Sequence, residues 1–150
     1  FIDMIEMVAP LHDLGKITIP DRILLKAGKL TPAEMEVMKT HSNLGADSLR
    51  EIYEKSGGNP MLKMAIDITE CHHERWDGKG YPNGLSGTAI PLAARITAVV
   101  DVYDTLCSER CYKEAYSHEK ALEIINEEAG KSFDPDIIEV FNKVQRQLKH

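Results

Sequence analysis

Helix-start signals punctuate this chain, and each one precedes an apolar run of helical period. Thr31-Pro32-Ala33-Glu34 joins an N-cap residue, a proline at the first helical position and a Glu three residues after the cap, so a long helix is expected from there to about Tyr53. Gly57-Gly58-Asn59-Pro60 breaks the chain, and MLKMAIDITECHH restarts a helix with His72 and His73 near its end. Residues 75–91 hold Gly78, Gly80, Gly84, Gly87, Pro82 and Pro91 and form a loop. Pro91 then opens LAARITAVVDVYDTL, Ser117 caps HEKALEIINEEA with Gly130 as its terminator, and Asp134-Pro135 opens DIIEVFNKVQRQL. Residues 1–14 place Ile2, Ile5, Val8 and Leu11 on one helical face, though Pro10 limits how ideal that helix can be unless a kink falls there. There is no strand alternation of useful length and no internal repeat. The expected fold is all-α, a helical bundle.

At 150 residues the chain suits one domain that buries roughly 70% of its unfolded surface. A net charge of −6 argues against a reader of DNA or RNA backbones, which carries surplus Lys and Arg, yet leaves room for a small anionic ligand where positive charge is focused. No stretch approaches the ~18 apolar residues needed to cross a bilayer, and no signal peptide is visible. Cys71, Cys107 and Cys111 form no CxxC pair and are expected as reduced thiols of a cytoplasmic protein. The chain starts at Phe1, inside an apolar run, and is read as a fragment whose first residues belong to a helix.

Of six histidines, His118 and His150 lie in polar contexts that surface exposure explains. His12, His41, His72 and His73 instead stand among apolar residues, His41 well inside the long helix. One buried imidazole is ordinarily a hydrogen-bonded core residue. Four from three helices each need partners of their own, which is harder to satisfy. Asp101 follows ITAVV in an apolar helix, where a bare carboxylate costs several kcal/mol unless compensated; a cap or an ion pair with Arg95 is the plain alternative. Asp13 beside His12 raises the same problem.

A metal centre answers all of these at once, and nitrogen and oxygen donors without thiolate suit Fe, Mn, Zn or Ni. Adjacent helical residues project about 100° apart, so His72 and His73 are better placed to serve two neighbouring ions than to chelate one. Two metals ~3.5–4 Å apart are suited to in-line displacement at phosphorus, which points to phosphoester hydrolysis. Lys16, Arg110 and Lys113 could hold a phosphate, with a solvated surface charge as the plain alternative for each, and Asp104 could support Asp101 or form a salt bridge.

HDLGK, KTH, HHERWDGKGYPNGLSG, DVYDTLCSERCYK and FDP, in that order, resemble the HD-GYP family, a branch of the HD phosphohydrolases. The resemblance runs from about Val8 to Phe141. It implies an all-helical HD-type bundle that hydrolyses cyclic di-GMP to pGpG and GMP with two or three divalent metal ions, Fe or Mn. By position, His12, Asp13, His41, His72, His73 and Asp101 match the family's metal ligands, and Asp13 matches the residue that bridges metals. Lys16 matches the lysine at the scissile phosphate, Arg110 and Lys113 match contacts to substrate phosphate, and Gly80-Tyr81-Pro82 matches the signature loop, with Tyr81 beside the substrate.

The family pattern includes a further His, and in some members a Glu, on a helix several turns before the HD pair. Eleven residues precede His12 here and none is His, so this fragment is expected to begin after that helix. Cys111 and Thr18 stand where the family commonly has Pro and Gly. The resemblance also implies fusion to a receiver or other sensor domain, and protein partners at the GYP loop. Alternatives are hydrolysis of another cyclic dinucleotide, or a catalytically silent signalling module.

Overall fold

A computed structural model describes residues 1–109 and 115–148; their regular structure is all helix, with two isolated bridges (Asp77 with Ser86, Ala129 with Phe133) and no strand. Arg110, Cys111, Lys113 and His150 lie outside the described residues. Helix α1 (Ile2–Val8) stops earlier than its apolar spacing implies. Pro10 has no N–H to extend it, and the chain tightens into a 3-10 segment, Ala9–Thr18, which carries His12, Asp13 and Lys16. A short helix, α2 (Asp21–Leu24), follows.

Thr31 caps α3 (Pro32–Lys39) with the full reciprocal box: its Oγ1 accepts from the Glu34 N–H, and the Glu34 carboxylate accepts from the Thr31 N–H at 2.7 Å. The long helix expected from this cap is in fact two, because Thr40 interrupts it. Its N–H donates to Val37 O at 3.1 Å, a tightened i to i−3 bond, and its hydroxyl donates to the same carbonyl at 2.7 Å. Consequently His41 opens α4 (His41–Lys55) rather than lying inside a helix. Asn59 caps α5 (Pro60–Cys71), and Pro91 precedes α6 (Leu92–Cys107). Ser117 caps α7 (His118–Glu127), and Asp134 caps α8 (Pro135–Val144). The chain leaves α7 before Gly130, whose positive φ of 74° then closes a turn with its N–H on Phe133 O.

The two larger apolar clusters both draw on α6. One joins Val8, Leu49, Ile66 and Ile68 to Ala93; the other joins Ala98 and Val99 to Ile125, Ile138 and Phe141. Ile68 and Ile125 are fully buried, each stabilising the fold by roughly 1.5–3 kcal/mol. The 3-10 segment lies directly on α4. A Cβ at Gly15 would fall 1.8 Å from His41 O, and one at Gly45 would fall 2.8 Å from Gly15 N, so the two backbones meet with no side chain between them. Thr69 adds a stitch from α5, donating from Oγ1 to Leu11 O at 3.1 Å. This close approach brings Asp13 over the start of α4 and the end of α5.

Candidate metal centre

Four of the expected residues converge: ligand atoms of Asp13, His41, His72 and His73 all lie within 4.8 Å of one another. His41 and His72 are buried. Each donates its Nδ1–H to a main-chain carbonyl, His41 to Met38 O at 2.7 Å and His72 to Ile68 O and Thr69 O at 3.1 Å. A carbonyl can only accept, so the proton sits on Nδ1 and the Nε2 lone pair is left facing inward. Both Nε2 atoms are buried without a hydrogen-bond partner. They point at Asp13 Oδ1, at 3.5 and 3.8 Å.

The second carboxylate oxygen, Asp13 Oδ2, faces the other way, 3.3 Å from His12 Nε2 and 2.6 Å from Lys16 Nζ. His12 is oriented like the other two, with Nδ1 on Ala9 O at 2.8 Å, and its Nε2 lies 3.6 Å from Asp101 Oδ1. Thus one carboxylate separates two groups of donors, and all six expected ligands belong to one constellation. His73 and His72 meet with ring centroids 4.0 Å apart. His72 is the C-cap of α5 and keeps helical backbone, yet its ligand nitrogen and that of His73 fall in one group with Asp13 and His41. Both rings can therefore face one centre.

The electrostatics follow from burial and neighbours. Burial pushes His72 down to about 4 and His73 to about 3, and it lowers His41 as well, so these three rings stay neutral. His12 moves the opposite way, to about 10, because hydrogen bonds to Asp101 and Asp13 hold its proton. Burial would raise Asp13, but His12 and Lys16 override it and keep the carboxyl below its usual range. His12 likewise keeps Asp101 ionised. Neutral imidazoles aimed at a carboxylate present lone pairs to lone pairs, an arrangement that a cation between them would satisfy. The donor set therefore fits a divalent metal.

Beside the cluster opens a cavity of about 510 Å³, lined by Asp13, Lys16, His73 and Asp101 together with Arg75 and Glu128. Tyr81 stacks on His73 with centroids 4.8 Å apart and planes 25° apart, which puts the GYP loop against the cluster. Asp104 is exposed and lines a separate apolar hollow with His12 and Asp101. Arg95 is not the partner of Asp101; it pairs with buried Asp134 at 2.6 Å. Nor is His118 simply a surface residue, since its ring links Tyr103 OH at 2.8 Å to Gln145 at 2.6 Å.

Several participants escaped the sequence reading. Buried Glu74 accepts from two backbone N–H groups of the GYP loop, and Gly15 and Gly45 permit the docking of Asp13. The glycines of HDLG and SNLG were visible signals of close approach, but nothing in sequence says that they face each other.

A family model described as HD domain matches residues 3–137. The chain is 48% identical over 99% of its length to a cyclic di-GMP phosphodiesterase of Vibrio cholerae, of which it covers 30%. It is 47% identical over 99% of its length to a cyclic di-GMP phosphodiesterase response regulator of Xanthomonas campestris, of which it covers 38%. The chain thus spans about a third of the length of these curated relatives. Among solved structures, one titled as a cyclic GMP-AMP-specific phosphodiesterase of V. cholerae superposes with a TM-score of 0.61 at 23% identity, covering 91% of this chain and 36% of that one. That likeness concerns the fold. No helix among the described residues is long and apolar enough to cross a membrane.

Proposed function

Since this chain belongs to the HD-domain family, we propose that it is the catalytic domain of a metal-dependent phosphodiesterase that hydrolyses cyclic di-GMP to pGpG and GMP. The observation that carries this reading is Asp13, which turns one oxygen to the orphaned Nε2 atoms of His41 and His72 and the other to His12 and Lys16. One cation would be held by Asp13 with His41, His72 and His73, and a second by Asp13 with His12 and Asp101. Nitrogen and oxygen donors without thiolate suit Fe or Mn. Such cations supply Lewis acidity toward phosphorus and make hydroxide accessible at neutral pH.

The chain's own residues do the rest. Lys16, at the edge of the cavity, neutralises charge that builds on a non-bridging phosphate oxygen. Tyr81 and the GYP loop form the rim against which substrate lies. Arg110 and Lys113 fall outside the described residues, and their assignment to the second phosphate rests on the motif resemblance alone. Together these cations offset the −6 net charge that would otherwise repel an anionic substrate.

The same reading makes the chain one module of a longer signalling protein, with a receiver or sensor domain attached, supported by the response-regulator relative. The free thiols of Cys71 and Cys107 agree with a cytoplasmic setting. The exposed Lys79 and Asn83 of the GYP loop offer a surface for a protein partner.

The experiment is Asp13→Ala in the full-length protein, assayed for turnover of cyclic di-GMP and other cyclic dinucleotides with Fe(II) or Mn(II). Loss of cyclic di-GMP turnover is expected; activity near wild type ends the proposal. Wild-type turnover confined to another cyclic dinucleotide would reassign the substrate.

A further inference from the structure

His12, His41 and His72 are each oriented by an Nδ1–H bonded to a main-chain carbonyl, whereas the ring of His73 makes no hydrogen bond among the described residues. It is held by ring contacts instead: it meets His72 at 4.0 Å and His41 edge-on at 5.1 Å, and the one near-parallel stack is with Tyr81 at 4.8 Å. Tyr81 is itself braced. Its N–H donates to His73 O at 3.3 Å, and Lys39 Nζ lies over its ring, 5.5 Å from the centroid.

The loop behind Tyr81 is pinned by Glu74, the residue directly after His73. Glu74 is 4% exposed, and its two carboxylate oxygens accept separately from the Asn83 N–H at 2.7 Å and the Leu85 N–H at 3.0 Å. Gly80 lets the loop fold this tightly. A Cβ there would fall 2.4 Å from Arg75 N and 2.5 Å from His73 O. The segment His73-Glu74-Arg75 thus carries both a metal-facing ring and the anchor for the residue that stacks on it.

We propose that Tyr81 and Glu74 are positioning residues for His73: Glu74 clamps the GYP loop, and the Tyr81 ring holds the imidazole in its metal-facing rotamer. The proposal rests on the reading of the cluster as a metal centre and adds a role for the loop other than substrate contact. An imidazole free to turn loses rotamer entropy when it takes up a ligand, and a prior stack removes that loss. Only the ring face is needed, so the phenolic hydroxyl is dispensable for this role.

The test is a Mn(II) titration of the metal-depleted full-length protein, comparing Tyr81→Phe, Tyr81→Leu and Glu74→Gln with wild type and recording thermal unfolding of each metal-free variant. Outer-shell changes typically weaken metal affinity by roughly 10- to 100-fold. Tyr81→Leu and Glu74→Gln are therefore expected to weaken Mn(II) binding by about 10-fold, and Tyr81→Phe to restore wild-type affinity. The Phe variant guards against a folding defect in the Leu variant, and Glu74→Gln leaves the stacked ring itself untouched. Unchanged Mn(II) affinity in both Tyr81→Leu and Glu74→Gln would overturn the proposal. So would a loss in Tyr81→Phe equal to that in Tyr81→Leu, or a raised KM for substrate with metal affinity intact. Absence of cyclic di-GMP turnover in the wild type would sink the functional reading while leaving the titration interpretable.

Discussion

Asp13 Oδ1 faces His41 Nε2 at 3.5 Å with no proton between them. The His41 proton is committed to Met38 O, and burial keeps the ring from taking up a second one. Two acceptors held in opposition inside a protein are unfavourable unless a third, positive partner joins them.

His41→Gln removes a buried lone pair aimed at the centre. Divalent-metal content measured by elemental analysis is expected to fall by at least one equivalent, with loss of phosphodiesterase turnover. Full metal content in this variant would remove His41 from the ligand set.

Metal removal should lower stability, because a cation that binds only the folded chain stabilises it by mass action. At a metal concentration of about 100 Kd the effect is about 2.7 kcal/mol, or roughly 5–10 °C in Tm for a domain of this size. Calorimetry with and without chelator measures it. An unchanged Tm would mean that the cluster does not hold metal.

Gly15→Ala places a Cβ 1.8 Å from His41 O, a main-chain atom that cannot swing aside. The 3-10 segment must lift off α4, with a cost of about 2–3 kcal/mol or more. Because Asp13 moves with it, Mn(II) affinity should fall in parallel. Urea unfolding and a metal titration check both effects, and loss of stability alone would uncouple the docking from the site.

The metal-free protein should be most stable near pH 6.5. His72 and His73 have folded pKa values of about 4 and 3, below the usual 6.5. Their contribution is complete above 6.5 and is lost as pH falls, since the unfolded chain binds protons first. His12, held at about 10, contributes in the opposite sense: fully below 6.5, and progressively lost as pH rises toward 10. Denaturation midpoints across this range test the sign, and stability that climbs from pH 7 to 9 would contradict it.

Arg95→Met strands Asp134, which is 3% exposed and otherwise paired at 2.6 Å. Removing one partner of a buried pair costs about 3–5 kcal/mol. Metal affinity should stay at the wild-type value, because Arg95 makes no ion pair with Asp101. A fall in affinity would restore the link between Arg95 and Asp101 that the sequence left open.

What the sequence determined by itself was local. Thr31, Ser117 and Asp134 cap helices where their contexts imply, because a cap bond spans only two or three residues. The identities of the six clustered His and Asp residues were equally legible, since such groups amid apolar neighbours demand a shared explanation. Tertiary structure decided how they meet. Thr40 divides the expected helix and puts His41 at its new start, and His72 and His73 at the end of α5 share one centre with Asp13 and His41. Gly15 rests on α4 some thirty residues away in sequence, Thr69 reaches back to Leu11, and Arg95 passes over Asp101 for Asp134. Each of these is a contact between distant segments, whose energy depends on how whole helices pack and leaves no periodic trace in the order of residues.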